Sequence, residues 1–177
     1  TGMGAVTPIG VGVPAYWDSL VRGVCGIDEI GQIDTSSLPI HRAAEVRDFH
    51  PKDFMPTRLV LDMEPYAQYA YAAAQEAILQ AGLSGSARVG IVMGTALHGV
   101  GILGRTQAHL DLDGKTAEPK LLTKCMGNVA ACQFSILHHI TGPSMTVSTA
   151  CSSGGDAVTL ASLLLTGGMA DAVVVMA

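Results

Sequence analysis

Residues 144–157, SMTVSTACSSGGDA, contain the feature of this sequence that decides its fold. The stretch begins with four residues typical of a strand, and from Ala157 onward apolar residues recur at i, i+3, i+4 and i+7, the spacing of a helix. Cys151 is therefore expected where a strand turns sharply into a helix, among small residues that leave its sulfur accessible. The unpaired N–H groups and positive dipole end of such a helix favour the nucleophilic thiolate. The sequence predicts a nucleophilic Cys151, with a small buried core cysteine as the alternative.

Outward from this stretch, strands alternate with helices along the whole chain. The strands are apolar throughout rather than alternating, which indicates a sheet covered on both faces. We therefore expect a layered α/β fold with a mostly parallel, mixed sheet. The predicted helices span residues 15–21, 62–81, 103–112 and 127–139, and the predicted strands span residues 42–46, 88–93, 144–147 and 172–177.

The longest predicted helix, residues 62–81, has recognisable signals at both ends. Asp62 is a plausible N-cap, Pro65 suits a first turn and Gly82 suits the position after the last turn. Its stripe of alanines predicts close packing against a neighbouring element.

Composition excludes several classes of function. The 177 residues carry a net charge of −5 without a Lys/Arg-rich run, which argues against nucleic-acid binding. No apolar stretch reaches the roughly 20 residues of a membrane span. The four cysteines show no C-x-x-C spacing, so we expect no zinc site, no disulfide framework and a cytoplasmic location. Because charged residues are only 14%, the chain is expected to bury surface against something beyond itself.

Both ends of the chain resemble interrupted elements. Residues 1–4 read as a turn without its preceding strand, and residues 172–177 read as a buried strand that needs a neighbour on each side. The sequence is therefore expected to be a fragment of a longer protein.

Other motifs offer weaker functional hypotheses. Residues 99–104 match G-x-G-x-x-G, but five residues separate them from the preceding strand, so close approach of the loop to the cysteine pocket is a better interpretation than dinucleotide binding. His98 is a candidate to line that pocket. Asn128, which follows Met126 at the start of a helix, suits a cap, and both residues are candidates to support the pocket. His138 is expected to be a packed or surface residue rather than a base for the cysteine.

The run TACSSG at residues 149–154 resembles the active-site signature of the β-ketoacyl synthases, the condensing enzymes of fatty-acid and polyketide assembly. The resemblance extends over essentially the whole chain, and the opening run, residues 1–10, is closer to carrier-protein-dependent members than to thiolases. The chain departs from the family at residues 60–65, VLDMEP, where members often carry Arg-Met-Asp and a further basic residue. The other matching stretches are residues 45–49, 68–74, 81–83, 94–99, 128–131 and 142–143.

The resemblance implies a thiolase-like fold of two similar α/β halves, of which residues 1–177 would be the N-terminal half. The C-terminal half, with the family's two assisting histidines and one oxyanion-hole N–H, would be absent, and the fragment alone is expected to be inactive. Cys151 would be the nucleophile and its backbone N–H part of the oxyanion hole. Leu97, on the loop that matches the family's pocket gate, would limit entry of the acyl chain.

The implied function is that of a β-ketoacyl-[acyl carrier protein] synthase. Such an acyltransferase joins an acyl thioester to malonyl-carrier protein by decarboxylative Claisen condensation through a cysteine acyl-enzyme, without a cofactor or metal. The implied partners are acyl carrier protein, acyl and malonyl thioesters and a second copy of the chain, paired near residues 145–148. The alternatives are a non-catalytic partner subunit that steers chain length and a thiolase acting on coenzyme A thioesters.

Overall fold

A parallel three-stranded sheet lies at the centre of the computed structural model, which describes residues 1–86, 88–114, 117 and 119–177. Short 3-10 turns, Pro51–Asp53 and Ala150–Ser152, precede the second and the last helix. In chain order, the other elements are β1 (Val6–Thr7), β2 (Gly10–Val11), α1 (Val13–Val21), β3 (Ile27–Glu29), β4 (Arg42–Ala44), α2 (Thr57–Asp62), α3 (Pro65–Ala81), β5 (Val89–Gly94), α4 (Val100–Asp113), α5 (Leu121–Cys125), α6 (Val129–Leu137), β6 (Ser144–Val147), α7 (Ser153–Thr166) and β7 (Ala172–Met176).

The sheet has the strand order β6-β5-β7, and both pairings are parallel. Ile91 in the central strand lies opposite Ser144 on one side and Val174 on the other. The carboxyl ends of all three strands therefore meet at one edge of the sheet. Antiparallel pairing occurs in two separate hairpins, β1-β2 and β3-β4.

Alternation along β5 explains why all six of its residues are buried. Ile91 and Met93 face a core shared with α3 and α6, whereas Val92 faces a second core with Ala157 and Leu164 of α7. Because successive side chains of a strand point to opposite faces, one apolar strand supplies both cores. The predicted layered α/β fold is confirmed, with helices on both faces of a parallel sheet.

The prediction of one helix over residues 62–81 is wrong at its start. Asp62 ends α2 instead of capping α3, and its Oδ1 forms an ion pair with Lys120 Nζ at 2.6 Å. Met63 and Glu64 are extended, and α3 begins at Pro65. A proline disfavours the helical conformation of the residue before it, so the chain must leave the helix at residue 64. Gly82 takes the predicted place after α3, in the left-handed conformation.

Other predicted elements differ from the structure mainly at their ends. The helix predicted at residues 127–139 is α6, and a short helix not predicted from the sequence, α5, precedes it. The helix predicted at residues 103–112 begins three residues earlier, at Val100. Among the described residues, no helix combines the length and the apolar character that crossing a membrane requires.

Candidate active site

Cys151 lies in the 3-10 turn that connects β6 to α7, at the carboxyl edge of the sheet. Its side chain is exposed, as the sequence predicted from the small residues around it, and it forms no disulfide. Because α7 starts at Ser153, its first N–H groups and positive dipole end lie directly after the cysteine. We refer to residues 149–156, which include Cys151, as the elbow.

Side-chain hydrogen bonds within the elbow fix the path of its backbone. Ser153 Oγ accepts from the Thr149 backbone N–H at 2.9 Å and donates to the Ala150 carbonyl at 2.7 Å. Ser152 Oγ donates to the Thr149 carbonyl at 2.8 Å and lies 3.2 Å from the Asp156 carboxylate. Thr149 Oγ1 donates to the same carboxylate. Asp156, interpreted from the sequence as a simple first-turn acid, therefore joins the two ends of the elbow.

The elbow leaves one backbone donor free at the cysteine. Within the described part of the chain, the Cys151 backbone N–H has no hydrogen-bond acceptor, whereas the N–H groups of Ser152 and Ser153 bond back to Thr149 and Ala150. Ala150 has a φ of +54°, a conformation that is unusual for a residue with a side chain and costs energy. An unpaired N–H beside an exposed thiol is the arrangement that can stabilise an oxyanion formed on that sulfur's substrate.

Close approach of β5 supports the elbow from behind. A Cβ atom placed on Gly94 would lie 2.2 Å from the Ser153 carbonyl oxygen, so only glycine fits between the strand and the start of α7. The Thr95 N–H donates to the Val147 carbonyl at 3.1 Å, which continues the pairing with β6 up to the elbow.

A groove of about 420 Å³ runs beside β6 and brings together three of the residues singled out from the sequence, His98, Met126 and Asn128. Ser144 and Thr146 of β6 form its other wall, and Cys151 lies further along the same chain, beyond the strand's carboxyl end. The complete lining, called the groove below, is His98, Met126, Gly127, Asn128, Ser144 and Thr146.

Within the wall that faces β6, residues 98–99 pack directly against residues 125–127. A Cβ on Gly99 would lie 2.4 Å from Cys125 Cα, and a Cβ on Gly127 would lie 2.8 Å from His98 Nδ1. Gly99 is therefore required because a Cβ there would meet backbone, whereas at Gly127 a Cβ would meet only the His98 side chain. His98 Nδ1 is buried against Gly127 without a hydrogen-bond partner in the described part of the chain.

Leu97 and Asn128 differ from each other in how they relate to the groove. Leu97 lies on the loop beside His98, but its side chain is 79% exposed and it is not part of the groove lining. Asn128 is at the N-cap position of α6, as predicted, yet its side chain makes no capping hydrogen bond. Its amide therefore lies at the groove without a capping role.

Tyr66 is a residue of this region that sequence reasoning missed. Its hydroxyl donates to the Met126 carbonyl at 2.9 Å, across 60 residues of sequence. Its ring also lines a second cavity of about 480 Å³, which Gly94, Thr95 and Ala177 bound at the carboxyl edge of the sheet. The sequence carries no local signal for this contact, because it depends on how α3 packs against the end of α5.

Burial and nearby negative charge control the ionisation of two groups near the groove. Desolvation, with contributions from Cys125 and Glu64, raises the pKa of Tyr66 to about 12. Desolvation and the Glu64 carboxylate raise the pKa of the Cys125 thiol above its ordinary value. Cys125 therefore stays a thiol near neutral pH, which argues against it as a rival nucleophile.

His138 packs in the core side of α6 instead of facing the cysteine. Its ring centroid is 4.2 Å from that of Phe134, and its Nε2 is buried without a hydrogen-bond partner among the described residues. Burial, with a smaller contribution from His139, lowers the pKa of His138. The expectation of a packed histidine is confirmed.

Comparison with known proteins identifies relatives along the entire chain. The family model described as "Beta-ketoacyl synthase, N-terminal domain" matches residues 1–177. The 3-oxoacyl-[acyl-carrier-protein] synthase 2 of Staphylococcus aureus is 31% identical over 179 residues, covering 98% of this chain and 44% of the relative. The synthase of the same name from Coxiella burnetii (strain RSA 493 / Nine Mile phase I) is 29% identical over 98% of this chain and 43% of the relative.

The fold agrees with that of solved ketosynthases. The structure titled "The ishigamide ketosynthase/chain length factor" has a TM-score of 0.83 and 28% identity over 96% of this chain and 44% of its own. This similarity agrees with the thiolase-like, layered α/β fold expected from the resemblance. The chain thus spans less than half the length of the relatives that it matches.

Proposed function

The chain belongs to the β-ketoacyl synthase family, as its N-terminal domain, and on that premise we propose that Cys151 is the nucleophile of a 3-oxoacyl-[acyl carrier protein] synthase. The observation that carries the proposal is the exposed Cys151 thiol beside its own unpaired backbone N–H, at the start of α7. The name of the Staphylococcus aureus relative supports acyl carrier protein as the partner.

In the proposed first half-reaction, the Cys151 thiolate attacks the carbonyl carbon of an acyl thioester on acyl carrier protein. The resulting tetrahedral oxyanion accepts a hydrogen bond from the Cys151 N–H, which is already oriented and has no competing acceptor. Collapse of this intermediate breaks the bond to the carrier's sulfur, releases the carrier thiol after protonation and leaves the acyl group on Cys151.

In the second half-reaction, a malonyl thioester loses CO₂, and its carbanion attacks the acyl-enzyme. The Cys151 thiolate leaves, and the product is a 3-oxoacyl thioester two carbons longer than the starting acyl group. We propose that the groups which assist decarboxylation lie in the part of the relatives that this chain does not cover.

The groove suits the role of supporting the acyl end of the substrate. His98, Met126 and Asn128 lie along β6, the strand that ends at the elbow. Leu97, exposed beside His98, is proposed to limit acyl-chain entry from the loop. We expect Leu97→Ala to accept longer or bulkier acyl groups, and an unchanged chain-length preference would refute that role.

A homodimer is proposed through β6. This strand lies at the edge of the described sheet, its first three residues are exposed and Met145 is 40% exposed. Pairing of two such edges would satisfy backbone groups that a single chain leaves open. We also propose a cytoplasmic location, in line with four free cysteines.

Two other functions remain open to experiment. One alternative is a non-catalytic partner subunit that steers chain length, since a similar solved structure is titled a ketosynthase/chain length factor. Such subunits usually replace the nucleophile, and Cys151 is present here. A thiolase acting on coenzyme A thioesters would share the elbow but would not depend on carrier protein.

The deciding experiment is an intact-mass measurement on the full-length polypeptide after incubation with a medium-chain acyl-carrier thioester. One added acyl group, absent in Cys151→Ala, is the expected result. Absence of any adduct would refute the catalytic role, and equal labelling by the corresponding coenzyme A thioester would favour the thiolase.

A further inference from the structure

The Tyr66 hydroxyl holds the junction between α5 and α6. It donates to the Met126 carbonyl at 2.9 Å, and the same oxygen accepts the Val129 N–H at 3.2 Å. Met126 is the extended residue directly after α5, and both it and the next residue, Gly127, line the groove. The hydroxyl thus acts on the main chain of one groove wall without lining the groove itself.

The start of α3, which carries Tyr66, is itself firmly fixed. Arg105 Nη2 of α4 donates to both carboxylate oxygens of the buried Glu64, at 3.1 and 2.9 Å. Gln68 Nε2 donates to the Val60 and Met63 carbonyls at 3.0 and 2.9 Å, which secures the turn between α2 and α3. Tyr66 is therefore held on both sides, and its hydroxyl is a rigid reference point.

Movement at Met126 would also reach His98, which packs against the same wall of the groove. Cys125 Sγ lies 3.9 Å from the Gly99 carbonyl, and a Cβ at Gly99 would lie 2.4 Å from Cys125 Cα. His98 precedes that glycine and rests against Gly127. Because interiors this closely packed transmit strain, a shift of residues 125–127 displaces His98 as well.

The Tyr66 phenol remains a donor under all ordinary conditions. Its pKa of about 12 keeps the proton on the oxygen at neutral and mildly alkaline pH. The Met126 carbonyl therefore always has this partner in the folded protein.

We propose that Tyr66 is a positioning residue that fixes the Met126 side of the groove and thereby narrows the range of acyl-chain lengths accepted by Cys151. The proposal rests on the function proposed above and adds a specificity-determining group outside the groove lining. Without the hydroxyl, the α5–α6 junction has one restraint fewer, and the groove adapts to acyl chains that the native protein discriminates against.

Tyr66→Phe in the full-length polypeptide tests the proposal, because it removes only the hydroxyl. Tyr69→Phe is the matched control: Tyr69 lies on the same helix and lines the same second cavity, but its hydroxyl makes no hydrogen bond in the described part of the chain. The first readout is the ratio of acyl-enzyme formation rates for a short and a long acyl-carrier thioester. The second is alkylation of Cys125 relative to Cys132, measured by peptide mass mapping.

Loss of one neutral hydrogen bond in Tyr66→Phe is expected to bring the ratio of the two acyl-enzyme formation rates about fivefold closer to one. The alkylation of Cys125 relative to Cys132 should rise by a similar factor. Tyr69→Phe should resemble the wild type in both readouts. A chain-length ratio unchanged in Tyr66→Phe, unchanged Cys125 alkylation, or equal changes in the control would each overturn the positioning role. A wild type that forms no acyl-enzyme would instead refute the proposed function.

Discussion

The elbow and the groove differ in how far along the sequence their stabilising contacts reach. The elbow is held by side chains within eight residues, since Thr149 and Asp156 are its most distant hydrogen-bonded partners. The groove joins residues from 98 to 146, and Tyr66 secures one of its walls across 60 residues. The side-chain hydrogen bonds that shape the elbow are therefore set by its own sequence, with β5 as the backbone surface behind it, whereas the shape of the groove depends on the packing of the whole fold.

The largest effect is expected from the elbow's nucleophile. Cys151→Ala should reduce acyl-enzyme formation by about 10³-fold or more, because Cys151 carries the one thiol of the elbow and the hydroxyls of Thr149, Ser152 and Ser153 are engaged in hydrogen bonds. Intact-mass measurement after incubation with an acyl-carrier thioester checks this, with Cys125→Ala as the control that should keep the adduct. Labelling that persists in Cys151→Ala and maps to Cys125 or Cys132 would show that the elbow is not the site of chemistry.

A pair of glycine-to-alanine variants compares how well the elbow and the groove tolerate one added side-chain carbon. Gly94→Ala should destabilise the protein by about 3 kcal/mol or more, because the new Cβ would lie 2.2 Å from the backbone oxygen of Ser153. Gly127→Ala should cost about 1 kcal/mol, since its Cβ meets the His98 ring at 2.8 Å and a side chain can move aside. Denaturant unfolding of the full-length protein measures both changes. Equal losses in the free energy of unfolding would contradict the idea that backbone atoms confine the elbow whereas a movable side chain borders the groove.

Asp156 tests whether the elbow's local hydrogen bonds matter to the chemistry. Asp156→Asn weakens the contacts to Thr149 and Ser152, so we expect acyl-enzyme formation to slow by about tenfold, since small misplacements of a nucleophile are costly. Asp111→Asn is the control, because Asp111 accepts a bond from Gln107 on the exposed side of α4. A rate that stays at the wild-type value in Asp156→Asn would mean that backbone packing alone positions Cys151.

The smallest effect is expected in how the stability of the folded protein depends on pH through His138, at the end of α6. His138 at the end of α6 has a lowered pKa, mainly through burial, so the folded protein binds this proton less readily than the unfolded chain. Its contribution to stability is therefore complete above the ordinary histidine pKa and is lost as the pH falls through the lower folded value. Thermal unfolding should show a modest loss of stability as the pH falls below the ordinary histidine pKa of about 6.5, and this loss should shrink in His138→Phe. His109→Gln, at an exposed position, should leave the slope as it is; identical slopes in all three proteins would contradict the assignment.

The sequence by itself determined the layered architecture and the setting of the cysteine. Apolar strands such as β5 predict burial on both faces, and the small residues around Cys151 predict an accessible turn before a helix; the structure confirms both. These features depend on local periodicity and on side chains close in sequence, which is why they can be read without coordinates. The catalytic role of Cys151 stays a prediction that the mass measurement will test.

Only the tertiary structure decided where the helices break and how the groove is assembled. Pro65 moved the start of α3, and Asp62 became an ion-pair partner of Lys120 rather than a cap. His98, Met126 and Asn128 lie together in one groove and Leu97 lies outside its lining, while their roles as pocket residues stay predictions. The contact between Tyr66 and Met126 could not have been predicted, because a single hydrogen bond leaves no periodic signal in the sequence. This bond forms only when α3 packs against the end of α5.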